Sequence, residues 1–193
     1  MKNNIAATGL FCAALLSSTL ASAAEKRGIY LDFGLGAAAV SYGNDVDDSL
    51  DLLEDNGFDR TTLSLDLSVG WAVRPNLFLV GSISGFADRL DDGDDDLQLN
   101  TYLTGVGVRY YPLSSMKHLQ LGADVGIANM VLQSSEVDDE TSDAGAGLKL
   151  SVAWDFDSTL KGPALLLGLQ FMTASIEHET VTGGSLFARF LLK

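Results

Sequence analysis

Between Thr61 and Arg74 the chain alternates strictly. Leu63, Leu65, Leu67, Val69, Trp71 and Val73 take one set of positions, and Thr62, Ser64, Asp66, Ser68, Gly70 and Ala72 take the other. Successive side chains of a strand point to opposite faces, so this pattern makes a ribbon with one large apolar face and one small, polar face. The same alternation sets Ile29, Leu31, Phe33, Leu35, Ala37 and Ala39 against Tyr30, Asp32, Gly34, Gly36 and Ala38. It returns with Leu119, Leu121, Ala123, Val125 and Ile127, and again with Leu148, Leu150, Val152, Trp154 and Phe156.

Eight stretches can be strands: roughly 28–42, 61–73, 77–87, 97–111, 119–131, 144–156, 164–176 and 182–192. Two are ambiguous in phase. In the third, Phe78 and Val80 compete with Leu77 and Leu79 for the apolar face; in the fourth, Leu99 and Leu103 fall out of step with Val106, Val108 and Tyr110. The connections are of two kinds. Short, turn-like links carry Arg74, Lys117 and Lys161, whereas 20 of the 26 acidic residues fall in four segments, 45–59, 88–96, 136–143 and 177–179. A meander with two chemically different ends follows, and loop 44–60 also contains Leu50, Leu52, Leu53 and Phe58, which suit a short helical lid or a contact surface.

Soluble sandwiches and carrier barrels turn their large apolar face inward. Here the other face is too rich in glycine, serine and alanine to be a wet exterior: Gly34, Gly36, Gly70, Gly105, Gly107, Gly122 and Gly126 suit a narrow lumen instead. The apolar face then meets lipid. Backbone groups in a bilayer must pair internally, so a sheet crosses only when closed, and the strands reach the roughly 9–11 residues a crossing needs. Trp71, Tyr110, Tyr111, Trp154, Phe156 and Tyr30 gather near the short-turn end, where an aromatic girdle belongs.

Residues 1–23 read as a signal peptide, with Lys2 in the n-region, an apolar stretch from Ile5 to Leu16 and a small-residue site at Ala21-Ser22-Ala23. The barrel domain is then 24–193. Its charge is 11 basic against 26 acidic residues, or −15, once Lys2 leaves with the signal. Such acidity disfavours nucleic acid. The single cysteine, Cys12, lies within the signal, so the exported chain relies on its backbone ladder without cross-links.

The signal, the segment Thr104-Gly105-Val106-Gly107-Val108-Arg109-Tyr110-Tyr111-Pro112 and the closing strand from Gly184 to Leu192 together resemble the small outer-membrane β-barrel family, the OmpA-, OmpX- and opacity-protein-type barrels. The resemblance spans the mature chain. It implies an all-β fold, an eight-stranded antiparallel up-and-down transmembrane β-barrel, in the outer membrane of a Gram-negative-type cell. It is weak for function, because one barrel serves many roles. Members of that family usually end on an aromatic residue, whereas this chain ends Phe190-Leu191-Leu192-Lys193.

Strand phase sends Asp32, Asp66, Arg109, Asp124, Lys149, Asp155 and Arg189 inward, where buried charges must pair. The expectation is an ion-pair network plugging the lumen; the alternative is a narrow diffusion pore for small solutes. Asp91, Asp92, Asp94, Asp95 and Asp96 surround Gly93 and can offer oxygens to loosely bound Ca²⁺ or Mg²⁺, though without the spacing of an EF-hand. A solvated acidic loop is the plainer reading. No cofactor is expected. A lipid-modifying enzyme would need a nucleophile and a base at the rim; only His178, between Glu177 and Glu179, with Ser175 nearby, fits, and no catalytic motif accompanies it. The expected role is structural or surface-interactive for a monomer among outer-membrane lipids and lipopolysaccharide, with an extracellular partner the sequence does not name.

Overall fold

A computed structural model describes residues 28–55, 57–74, 76–91, 96–112, 118–134, 140–157, 163–176 and 179–192. The expected signal peptide, residues 1–23, lies outside them. The strands are β1 (Ile29–Ser41), β2 (Asp59–Arg74), β3 (Leu77–Asp91), β4 (Asp96–Tyr110), β5 (Leu119–Ser134), β6 (Glu140–Thr141), β7 (Gly145–Asp155), β8 (Pro163–Ile176) and β9 (Glu179–Leu192), with one helix, α1 (Asn44–Asp55).

All pairings are antiparallel, each long strand beside its sequence neighbour, and β1 also pairs with β9. That last ladder, from Leu31↔Leu192 to Ser41↔Thr182, closes the sheet. The two-residue β6 pairs only with the far end of β5, continuing the stave whose main part is β7, so the result is a closed up-and-down barrel of eight staves. Closure leaves no unpaired edge, the condition for a sheet in lipid.

The two faces lie inside out relative to a soluble barrel. Leu35, Leu65, Val106, Ile127, Leu169 and Leu186 are exposed, while Asp32, Asp66, Arg109, Asp124, Lys149 and Arg189 are fully or almost fully buried. No helix of the described residues is long and apolar enough to cross a membrane, and the strands do the crossing.

The two ambiguous strands pair in unbroken register from Leu77↔Tyr110 to Asp91↔Asp96. Phe78 and Val80 turn inward and pack with Tyr30, Tyr111, Leu166 and Leu191 at the short-turn end. Leu99 and Leu103 turn inward at the other end, with Phe86, Leu90, Met172 and Ile176. The lumen is therefore layered: apolar and aromatic at the two ends, ionic between. Tyr30 and Tyr111, expected in the girdle, are interior residues, whereas Trp71, Tyr110, Trp154 and Phe156 face outward at that end. His118 stacks on Trp154 with ring centres 5.2 Å apart.

Candidate functional site

Helix α1 lies over the long-loop mouth. Its Leu50 is buried, and Val46 and Leu53 pack against the same cluster as Leu90, Leu99 and Ile176. Leu52, also suggested as a packing residue, is 62% exposed. Burial of one stripe explains why a segment this acidic is helical at all, since acidic side chains occupy the wet face.

Both ends of the helix are fastened locally. Asp47 reaches back to accept hydrogen bonds from the Tyr42 amide (3.0 Å) and the Ser41 hydroxyl (2.5 Å). At the other end Phe58 N donates to Leu53 O at 3.2 Å and Gly57 N to Glu54 O at 3.0 Å, a Schellman arrangement with Gly57 at φ +101°. Phe58 and Leu53 meet in the apolar cluster, the side-chain contact that usually accompanies this motif.

Arg60 joins this lid to the barrel. Its guanidinium donates to Asp88 through Nε (3.0 Å) and Nη2 (2.7 Å), to Val40 O (3.0 Å) and to Glu54 of the helix (3.4 Å). Thr62 donates to the same carboxylate at 2.8 Å. Asp88, first read as part of an acidic loop, is instead wholly buried, because it continues the inward series Ser82, Ser84, Phe86 of β3. That parity was the missed signal. Beside it the buried Tyr42 phenol is pushed above the ordinary tyrosine value, first by burial and then by the Asp88 charge.

Below the apolar layer lies the ionic one. Arg109 Nη1 meets both oxygens of Asp124 at 3.0 and 2.8 Å and its Nη2 donates to Ser68 at 3.1 Å. Ser82 also donates to Asp124 (2.8 Å). Lys149 donates to Asp66 and, at 2.9 Å, to Ser84, and stands 3.6 Å from Asp124. Arg189 bridges Asp66 (3.4 Å), Gln170 (3.4 Å) and, most loosely, Asp32 (3.8 Å), while its guanidinium sits 4.2 Å from the Phe187 ring centre. Six of the seven lumen residues named from the sequence thus form one connected set, three cations with three carboxylates. Gly107 makes room for it: a Cβ there would lie 2.3 Å from an Asp124 oxygen.

Asp155 stands toward the short-turn end, accepting from Tyr111 Oη at 2.9 Å. Gln120 donates to Tyr111 Oη at 2.9 Å, which ties Tyr111, one residue past β4, to both β5 and β7. Of the suggested cation loop, Asp92, Asp94 and Asp95 lie outside the described residues, and Asp91 pairs with Arg89 at 2.8 Å. Among the described residues no group of three or more potential ligands is placed to hold a metal ion. Glu177 and His178 also lie outside, and Ser175 faces outward on β8.

A family model described as an outer membrane protein beta-barrel domain matches residues 8–175. No match was found among curated proteins. Among solved structures, the chain is similar to Neisserial surface protein A at TM-score 0.61 and 17% identity, covering 88% of this chain and 99% of that one. It is similar also to Ail, the attachment invasion locus protein of Yersinia pestis, in complex with the heparin analogue sucrose octasulfate, at TM-score 0.54 and 12% identity over 85% and 99%. Identities this low speak for the shared fold alone.

Proposed function

The chain belongs to the outer membrane protein β-barrel family, and from that premise we propose that it is a non-conducting barrel with a structural or surface-interaction role, presenting acidic loops at the cell surface. The observation that carries this reading is the layered interior: a buried helix face over an apolar layer, a neutral set of three cations and three carboxylates, then an aromatic layer. Eight strands leave an interior only wide enough for side chains, and here side chains fill it. In this reading a leader peptide ending near Ala23 exports the chain, and the barrel acts as a monomer.

Surface charge narrows the class of partner. Ail was solved with a polysulfated sugar, but the loops here carry a concentration of carboxylates that would repel such a ligand. Cationic partners, or divalent ions bridging to lipopolysaccharide phosphates, fit better. The narrow-pore alternative draws on one feature, the slack 3.8 Å contact between Arg189 and Asp32.

Planar-bilayer recording decides between them. The expected result for the folded protein is no steady current in 1 M KCl; discrete, reproducible conductance steps that survive in independent preparations would make the lumen a pore. Lipid A and phospholipid profiles unchanged by His178→Ala are expected as well, and an altered profile would reopen the enzymatic reading.

A further inference from the structure

The ionic layer of the lumen is satisfied on one side only. Toward β3, β5 and β7, Asp124 accepts from Ser82 and from Arg109 Nη1, and Lys149 donates to Ser84. The side formed by β9, β1 and β2 differs. Among the described residues, both carboxylate oxygens of Asp32, the Nε of Arg109 and the Nε and Nη1 of Arg189 have no hydrogen-bond partner. All three side chains are wholly buried. Buried polar groups are paired with protein or with ordered water in the great majority of cases, so such atoms gathered in one place point to something that pairs them.

The strand register does gather them. Asp32 stands beside Ser68 in the pairing of β1 with β2, and the Ser68 hydroxyl accepts from Arg109 Nη2 at 3.1 Å. Arg189 stands beside Gly34, the next inward position on β1. Glycine there lets the Arg189 stem lie across β1, since an added Cβ would come 3.1 Å from its Cγ, and the Arg189 Nε reaches 3.8 Å from Asp32 Oδ1. That separation is too long for a direct hydrogen bond. A bridging molecule with both a donor and an acceptor serves both groups.

Charge and size restrict what the bridge is. The three cations and three carboxylates of the layer already balance, so a further ion would be buried without a counter-charge. Eight strands leave little room between side chains, which excludes an organic solute. Water fits both conditions. At about three hydrogen bonds for each buried water, the free N–H groups and carboxylate lone pairs call for about two or three molecules.

We propose that Asp32, Arg109 and Arg189 enclose a cluster of about two or three ordered water molecules where β9, β1 and β2 meet. The apolar cluster above and the aromatic layer below separate it from the two mouths of the barrel. Enclosed water lets Asp32 stay charged without a direct partner. The cluster rests on these buried atoms and not on what the loops bind, and conductance tests the closed ends separately.

The test is a pair of laboratory-frame and rotating-frame Overhauser spectra of the folded, isotope-labelled protein in detergent micelles, read at the Nε–H protons of Arg109 and Arg189. Both protons should show cross-peaks to water that have opposite signs in the two spectra, the signature of long-lived bound water and not of proton exchange. Asp32→Asn, which keeps an acceptor, should retain them. Asp32→Leu, checked as folded by the gel shift between boiled and unboiled samples, should lose the Arg189 cross-peak. Absence of water cross-peaks at both protons of the unaltered protein overturns the proposal, as does an undiminished Arg189 cross-peak in folded Asp32→Leu. A high-resolution crystal structure gives an independent measure: solvent density within hydrogen-bond distance of Asp32 and Arg189 supports the cluster, and a direct Asp32–Arg189 hydrogen bond with no density between them overturns it.

Discussion

Arg60 and Asp88 meet at 2.7 Å across the mouth of the barrel, and the same guanidinium holds Glu54 of the lid helix and the Val40 carbonyl of the first strand. One side chain thereby locks a surface helix to two strands. Loop helices of this length are marginal alone, so its persistence depends on such fastening and on the apolar face beneath.

Arg60→Ala should free the helix without unfolding the barrel. Asp88 is wholly buried and would keep only its shorter-range partners such as Thr62, so the closed lid should lose about 3 kcal/mol. Hydrogen exchange at the amides of Asp47 to Asp55 should quicken about hundredfold on that basis, with the strand amides of β2 and β3 unchanged. Uniformly faster exchange in helix and strands would mean that the lid is not a separate unit.

Alkali should act through Tyr42. Its phenol is raised by burial and by the nearby Asp88 charge, so the closed lid favours the neutral form. A raised value contributes stability that is whole below the unfolded tyrosine value near 10 and is lost as pH climbs past it. In an absorbance titration at 295 nm, the protein and its Tyr42→Phe variant should therefore show equal amplitude in the step near pH 10. A smaller step in the variant would place Tyr42 among the ordinary tyrosines.

Within the lumen the two carboxylates Asp124 and Asp32 should differ sharply. Asp124 meets Arg109, Ser82 and Lys149 at 3.6 Å or less, so Asp124→Ala strands buried cations and should cost about 3–5 kcal/mol. Asp32 faces Arg189 only at 3.8 Å, and that cation also holds Asp66, so Asp32→Asn should cost no more than about 1 kcal/mol. Urea unfolding in lipid vesicles gives the comparison; equal losses would show that network charge, not local geometry, sets the energy.

Legibility from sequence followed the alternation. Where one face is wholly apolar, as from Leu63 to Trp71, period two assigns inside and outside unaided, and Asp66 falls inward by parity. It weakens where both faces are apolar. Phe78, Val80, Leu99 and Leu103 line the lumen at its two ends, and their phase is decided by tertiary partners in the aromatic layer and under the helix. Asp88 was obscured for the opposite reason: its acidic neighbours in sequence are exposed, while parity with Ser82 and Ser84 carries it inside to Arg60. Phase along a strand is thus a better guide to a charge's place than the composition of the segment around it.

The seam between first and last strands offers the strictest check on closure. Gly36 pairs with Phe187 on β9 and faces the lumen, where a Cβ would lie 2.4 Å from Leu186 O and 2.6 Å from the Ser64 hydroxyl. Backbone oxygen cannot turn aside as a flexible side chain can, so a branched residue must push β1 from β9 or distort the ladder. An open seam leaves backbone groups unpaired in hydrocarbon, at several kcal/mol for each group. Gly36→Val should therefore fail to give the faster-migrating, heat-modifiable band in outer-membrane fractions, while Gly81→Val, outward on β3 with nothing nearer than 3.9 Å to an added Cβ, should give it normally. Normal folding of both would mean that the seam between β1 and β9 is not tightly closed at Gly36.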